Sequence, residues 1–155
     1  RQVSMEEALQ HVERCQEAGL VHIIGRNKID SVWLNTGPKE ELLTVCNCCP
    51  CCCLWKVLPD LPEHMSGRMT AMPGVSVVVE PTVCVGCGAC VDSKCCFVDA
   101  LTVVDGSVRI DEGRCRGCGR CVDVCEHGAF KITFSPESVQ AAVDRVEPLV
   151  DVTQA

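Results

Sequence analysis

Two stretches of this chain copy one another, and the copied residue is cysteine. Cys84-Val-Gly-Cys87-Gly-Ala-Cys90-Val-Asp92 matches Cys115-Arg-Gly-Cys118-Gly-Arg-Cys121-Val-Asp123, with every shared position 31 residues apart. Each copy then reaches a further cysteine followed four residues later by alanine: Cys96 with Ala100, and Cys125 with Ala129. There the offset falls to 29, so the first copy carries two extra residues between Asp92 and Cys96. Chance is a poor source of such a repeat.

Composition says why the chain leans on these residues. Of 155 residues, sixteen are cysteine and only five are aromatic: three Phe, two Trp and no Tyr. A small domain so poor in large apolar side chains needs a staple beyond burial. Disulfides and metal ligands are the two ways cysteine supplies one. The cysteines crowd into 46–53, 84–96 and 115–125 instead of spreading out, and neighbours such as Cys48 and Cys49 do not readily bridge each other. The N-terminus has no apolar signal region, and no apolar run is long enough to span a bilayer. The expectation is a cytoplasmic protein in a reducing compartment, using thiolates for metal.

The spacing of the copies suits a cube of four irons and four sulfides, in which each iron takes one thiolate. Three cysteines spaced by two residues let one tight loop wrap three corners. Gly86 and Gly88, with Gly117 and Gly119, allow unusual backbone angles and let amides approach the sulfides. The fourth cysteine lies too far along to complete its own cube and is offered to the other. Zinc also uses two-residue cysteine spacings, but it prefers two separated pairs closing one tetrahedron, which triple runs fit poorly.

Over residues 76–134 the pattern resembles the bacterial-type two-cluster ferredoxin family. The resemblance implies two 4Fe–4S clusters, one held by Cys84, Cys87, Cys90 and Cys125, the other by Cys115, Cys118, Cys121 and Cys96. It implies an α+β, ferredoxin-like fold of two pseudo-symmetric halves, with short helices and small antiparallel hairpins. It implies one-electron transfer at low potential between enzymes. Three departures stand against the family pattern. Phe97 and Glu126 replace the usual proline after the fourth cysteine, five residues separate Cys90 from Cys96 where three are usual, and Cys95 is a rival to Cys96. Cys96 is preferred because Phe-Val-Asp-Ala then aligns with Glu-His-Gly-Ala.

A different cysteine segment precedes the repeat. Cys46, Cys48, Cys49, Cys51, Cys52 and Cys53 fall within eight residues and fit no standard ligand spacing. A third iron–sulfur cluster there is the favoured expectation, with Cys46, Cys48 or Cys49, Cys51, and Cys52 or Cys53 as candidates. A redox-active thiol pair and inert packing are the alternatives. Similar cysteine-crowded segments, preceded by a stretch like Gly19-Leu20-Val21-His22, resemble those ahead of ferredoxin modules in the iron–sulfur proteins of anaerobes. His22 reads as a packed strand residue before it reads as a ligand. Cys15 reads as core, and His127 as a surface neighbour of Cys125.

Three regions are expected: a cysteine-rich region at 1–74, the two-cluster module at 75–135, and a C-terminal helix and tail at 136–155. Ser4 caps an amphipathic helix over 4–18, with Glu7 completing a capping box. Strands are expected at 20–24 and 31–35, paired as a hairpin whose likeness to a winged helix is only in outline. A short helix is expected at 39–45 and a linker at 59–74. The module should have strands at 75–80, 101–104, 108–110 and 129–134, with Asp105-Gly106 as a two-residue turn. The last helix should begin at Pro136 with Ser135 as its cap.

The formal charge of −7 argues against a nucleic-acid footprint, which needs a basic face. It suits docking to a basic patch on a redox partner, though solubility alone would also explain it. No nucleotide fingerprint occurs, since Gly86 and Gly88 lie inside a cysteine loop. The expected role is an electron carrier or electron-transfer subunit rather than a stand-alone enzyme. The rival is an iron–sulfur subunit of a larger oxidoreductase in which the 46–53 centre, or its thiols, handles a substrate. The start at Arg1 without Met is compatible with that rival.

Overall fold

The computed structural model describes residues 2–26, 28–51, 53–67 and 69–149. The chain divides into two units, Arg1–Cys48 with Gln140–Ala155, and Cys49–Val139.

In the first unit, helix α1 runs over Met5–Glu17. It starts where the sequence directs, with the Ser4 hydroxyl accepting from the Glu7 backbone N–H at 3.1 Å. It stops at Gly19, whose φ of +73° only glycine adopts freely. Cys15 is its buried residue, as expected. Strand β1, Val21–Gly25, pairs antiparallel with β2, Thr44–Cys48, in the register Val21 to Cys48 through Gly25 to Thr44.

That pairing corrects two expectations. Residues 31–35 are no strand: Lys28–Leu34 is helix α2, ended by Asn35 at φ +51°. The Val32-Trp33-Leu34 run suggested a strand, yet these side chains are 67, 71 and 61 % exposed, so no sheet face claims them. Ser31, buried in the same turn, donates to the Lys28 carbonyl at 2.9 Å, a local helical bond. The partner of β1 lies in the cysteine-rich segment instead, where five residue pairs are available. The hairpin behind the winged-helix likeness therefore does not exist. The helix expected at 39–45 shrinks to one 3-10 turn, Lys39–Glu41, because Thr44 and Val45 belong to β2.

The second unit opens with a turn and a 3-10 run over Leu54–Asp60, then a single helical turn, α3, at Glu63–Ser66. The cysteine repeat follows, and its architecture repeats with it. Strand β3, Ser76–Val79, leads to a cysteine loop and helix α4, Ala89–Asp92, then to β4, Leu101–Val104. Strand β5, Ser107–Ile110, leads to the second loop and helix α5, Arg120–Val124, then to β6, Phe130–Thr133. Strand β4 pairs with β5, and β3 pairs with β6, both antiparallel. Since β3 and β5 are 31 residues apart and β4 and β6 are 29 apart, each sheet is the image of the other.

The hydrogen bonds copy as well. Glu80 N–H donates to the Ala129 carbonyl at 2.7 Å, and its counterpart Asp111 donates to Ala100 at 2.8 Å. Each loop then starts alike, with Cys84 N–H on the Glu80 carbonyl at 3.0 Å and Cys115 N–H on the Asp111 carbonyl at 2.8 Å. Asp105 and Gly106 have φ of +51° and +75°, the angles of the tight turn expected between β4 and β5. Between the sheets sits a small core of Cys90, Cys95, Leu101, Val108 and Phe130. The whole is a small mixed α/β chain of short antiparallel strand pairs and short helices. Helix α6, Pro136–Val146, has Ser135 Oγ accepting from Ser138 N–H at 3.1 Å as its cap, and a 3-10 turn at Glu147–Leu149 follows it.

Candidate metal centre

Two glycines in each loop hold the left-handed conformation: Gly86 and Gly88 at φ +66° and +75°, and Gly117 and Gly119 at +67° and +78°. The chain thereby turns tightly enough to aim three consecutive cysteines inward before α4 or α5 begins. At Gly86 no other residue would serve, because a Cβ there would collide with the Gly106 carbonyl oxygen.

Each loop faces a cavity. Cys84, Cys87 and Cys90 line the first, of about 120 Å³, and the cysteine completing its wall is Cys125, from the far end of the other copy. Cys115, Cys118 and Cys121 line the second, of about 20 Å³, and its fourth cysteine is Cys96. The exchange follows from the strand pairing. Because β3 lies beside β6 and β4 beside β5, the residues leading into each last strand fall against the opposite loop. Cys125 sits just before β6, and Cys96 just before β4.

The two crossing cysteines are held alike. Ala100 N–H donates to Cys96 Sγ at 3.2 Å, and Ala129 N–H donates to Cys125 Sγ at 3.4 Å. Both alanines are 2 % exposed. Cys95 points elsewhere, into the core, where its thiol donates to the Cys90 carbonyl at 3.2 Å. It lines neither cavity.

Backbone donors and burial push the thiols in opposite directions. Cys84 is held below its ordinary pKa, first by the Val108 N–H and then by those of Gly86 and Ser107's hydroxyl. Burial raises Cys90 and Cys95, and neighbouring sulfurs add to it. Cys121 is pushed up to about 12, again by burial first and by Cys118 second. Negative charge is costly there unless a positive partner arrives.

The residues suit a 4Fe–4S group on three counts. Each cavity has a wall of four thiols, the donor set such a cluster takes. The loops bring backbone N–H groups to sulfur. In the second cavity's wall, Arg116 Nε is a buried N–H with no partner among the described residues, a donor suited to a sulfide. No three His, Cys, Asp or Glu side chains among the described residues converge on a point where a single ion could sit.

The 46–53 segment is arranged differently. Cys46 is half-buried and Cys48 buried in β2, at the end of the first unit. Cys49, Cys51 and Cys53 belong to the second unit, with the Cys49 and Cys51 sulfurs 2.6 Å apart. Cys52 lies outside the described residues. His22, on β1, has its Nδ1 within hydrogen-bond distance of Asn47 Oδ1, at 2.8 Å. Its Nε2 is buried with no partner among the described residues. His127 is exposed at the rim of the first cavity.

The second strand-loop-strand copy also carries a recognisable family signature: the Fer4 family, the 4Fe-4S binding domain, matches residues 108–131. Those residues run from β5 into β6 and contain Cys115, Cys118, Cys121 and Cys125. No curated protein and no solved structure matches the chain. No helix among the described residues is long and apolar enough to cross a membrane. An iron–sulfur electron-transfer role, with at least one 4Fe–4S cluster, is what the match and the cysteines support.

Proposed function

We propose that the chain is a two-cluster electron carrier of the bacterial ferredoxin type. The carrying observation is the pair of cavities, each walled by three cysteines of one copy and one of the other. When bound, each cluster supplies one-electron redox chemistry, and the protein supplies ligation, burial and orientation. Cys84, Cys87, Cys90 and Cys125 hold one cluster, while Cys115, Cys118, Cys121 and Cys96 hold the other. The buried residues Leu101, Val108 and Phe130 keep bulk water out of the space between the cavities. Strand pairing fixes the separation of the ligand sets, so the electron steps between two sites whose surroundings need not rearrange. Partners are redox proteins that give and take single electrons in a reducing compartment.

A third centre in the 46–53 segment remains part of this proposal, supported by six cysteines in eight residues. A second reading, an oxidoreductase subunit with reactive thiols there, is favoured by the close approach of Cys49 and Cys51. Anaerobic iron and sulfide analysis with EPR of the reduced protein separates these outcomes. Two clusters give about eight irons per chain and three give about twelve, at four irons per cube. A thiol pair leaves eight and adds reductant-dependent thiols. Colourless or zinc-loaded protein overturns the proposal.

A further inference from the structure

The two loops share a backbone but differ in charge. At the three positions that are neither cysteine nor glycine and differ in kind, the first copy has Val83, Val85 and Ala89 where the second has Arg114, Arg116 and Arg120. Val85 and Ala89 line the first cavity, and Arg116 and Arg120 line the second. The opposite walls differ as well. Glu126 and His127 border the first cavity, whereas Val98 stands at the position equivalent to His127 in the second.

The arginines are not equal. Arg114 is paired with Asp60, and Arg120 with Asp123 at 3.5 Å, so carboxylates offset part of their charge. Among the described residues Arg116 has no such partner: its Nη1 donates to the carbonyls of Gly113, Arg114 and Cys115, at 2.8, 2.7 and 3.2 Å. Its Nε–H is buried beside the second cavity with no partner among the described residues. Reduction adds negative charge to a cluster. A nearby cation and an N–H donor to sulfur stabilise the reduced form and raise the potential. A carboxylate at the rim, such as Glu126, does the reverse.

Resting on the two-cluster reading, we infer that Arg116 makes the second site the electron sink, so that an electron entering the pair comes to rest there. One electron from a low-potential one-electron donor reduces the cluster held by Cys84, Cys87, Cys90 and Cys125. That cluster is oxidised again as the electron passes to the one held by Cys115, Cys118, Cys121 and Cys96, which is reduced. No proton or bond changes hands. Arg116 is a positioning and tuning residue, and Val85 is its uncharged counterpart.

The test is an anaerobic EPR-monitored redox titration of the loaded chain and three variants. Arg116→Val installs the first copy's own residue and should lower the higher of the two potentials by at least about 59 mV, a tenfold change in a one-electron equilibrium. Val85→Arg, at a position 62 % exposed, should raise the lower potential and leave the higher one in place. Arg116→Lys should fall between wild type and Arg116→Val, keeping charge while losing the Nε donor. Should Arg116→Val fail to load iron, Val85→Arg decides the question on its own. The inference is overturned if Arg116→Val moves neither potential or moves the lower one, or if Val85→Arg leaves the lower potential in place. About four irons in the wild-type chain would instead overturn the two-cluster reading; about eight irons with unmoved potentials would sink only the inference.

Discussion

The Cys95 thiol donates to the Cys90 carbonyl at 3.2 Å, and both residues are 6 % exposed. Cys96, one residue on, accepts the Ala100 N–H and lines the second cavity. Two adjacent cysteines thus face opposite duties, one in the core and one at the candidate metal site. On the two-cluster reading, Cys96→Ser should drop iron from about eight to about four per chain, at four irons per cube. Cys95→Ala should keep its iron and lose about 1 kcal/mol of stability with the hydrogen bond. Iron analysis and denaturant unfolding read both. Iron lost from Cys95→Ala and kept by Cys96→Ser would reverse the assignment.

Glycine substitutions should separate strain from collision. Gly86 and Gly128 both have positive φ, +66° and +65°. A Cβ on Gly128 meets nothing within 4 Å, so Gly128→Ala should cost only the left-handed penalty of about 1 kcal/mol. A Cβ on Gly86 runs into the Gly106 backbone, which cannot swing aside as a side chain can. Gly86→Ala should therefore be clearly worse in unfolding experiments and should reduce iron retention at the first site.

Alkaline pH should weaken the metal-free, reduced chain. Burial raises Cys90, Cys95 and Cys121 from the ordinary value of 9.0, the last to about 12. A raised thiol favours the folded state while protonated. Its stabilising contribution is complete below the unfolded value and is lost as pH climbs from about 9 towards 12. Thermal unfolding between pH 7 and 10.5 should show a falling midpoint. Metal uptake should release protons at neutral pH, because ligation needs the thiolates, and a lightly buffered indicator would detect them.

Arg114 joins three parts of the second unit. Its Nε donates to the Val98 carbonyl at 3.0 Å, its Nη1 pairs with Asp60, and it immediately precedes Cys115. Arg114→Ala should destabilise the chain more than Asp60→Asn, because only the former also strips the Val98 carbonyl. The Arg114 hydrogen bond holds the Asp60 carboxyl below its usual range. That contribution is present at neutral pH and fades as pH falls through the lowered value. Wild type should be more stable than Asp60→Asn at neutral pH, and the gap should close as pH falls along that limb.

The candidate site was legible in the sequence because it is built from local spacing. Three cysteines two residues apart, with glycines between, define a loop without reference to anything distant. The 31-residue offset announced a second copy of it. The strand order carried the rest: which fourth cysteine meets which loop depends on β3 lying beside β6, a pairing of residues more than fifty positions apart. Spacing alone suggested that each fourth cysteine serves the other copy, and the resemblance to a family assigned Cys125 and Cys96 to named sets.

The N-terminal region was read less well, and for a physical reason. Val32, Trp33 and Leu34 have strand-forming character, but strand propensity expresses itself only where a partner strand and a buried face exist. Neither is there, and a local helix forms. The partner of β1 was hidden in the cysteine-dense stretch, where Cys46 and Cys48 looked like ligands before they looked like strand. What the amino-acid order determined by itself was every feature whose cause lies within a few residues: the caps, the Asp105-Gly106 turn, the glycine-hinged cysteine loops and their charges. What only the tertiary structure decided was which of two adjacent thiols turns inward, which strand is paired, and which wall each arginine faces. Those depend on contacts between distant segments, whose free energy no local pattern contains.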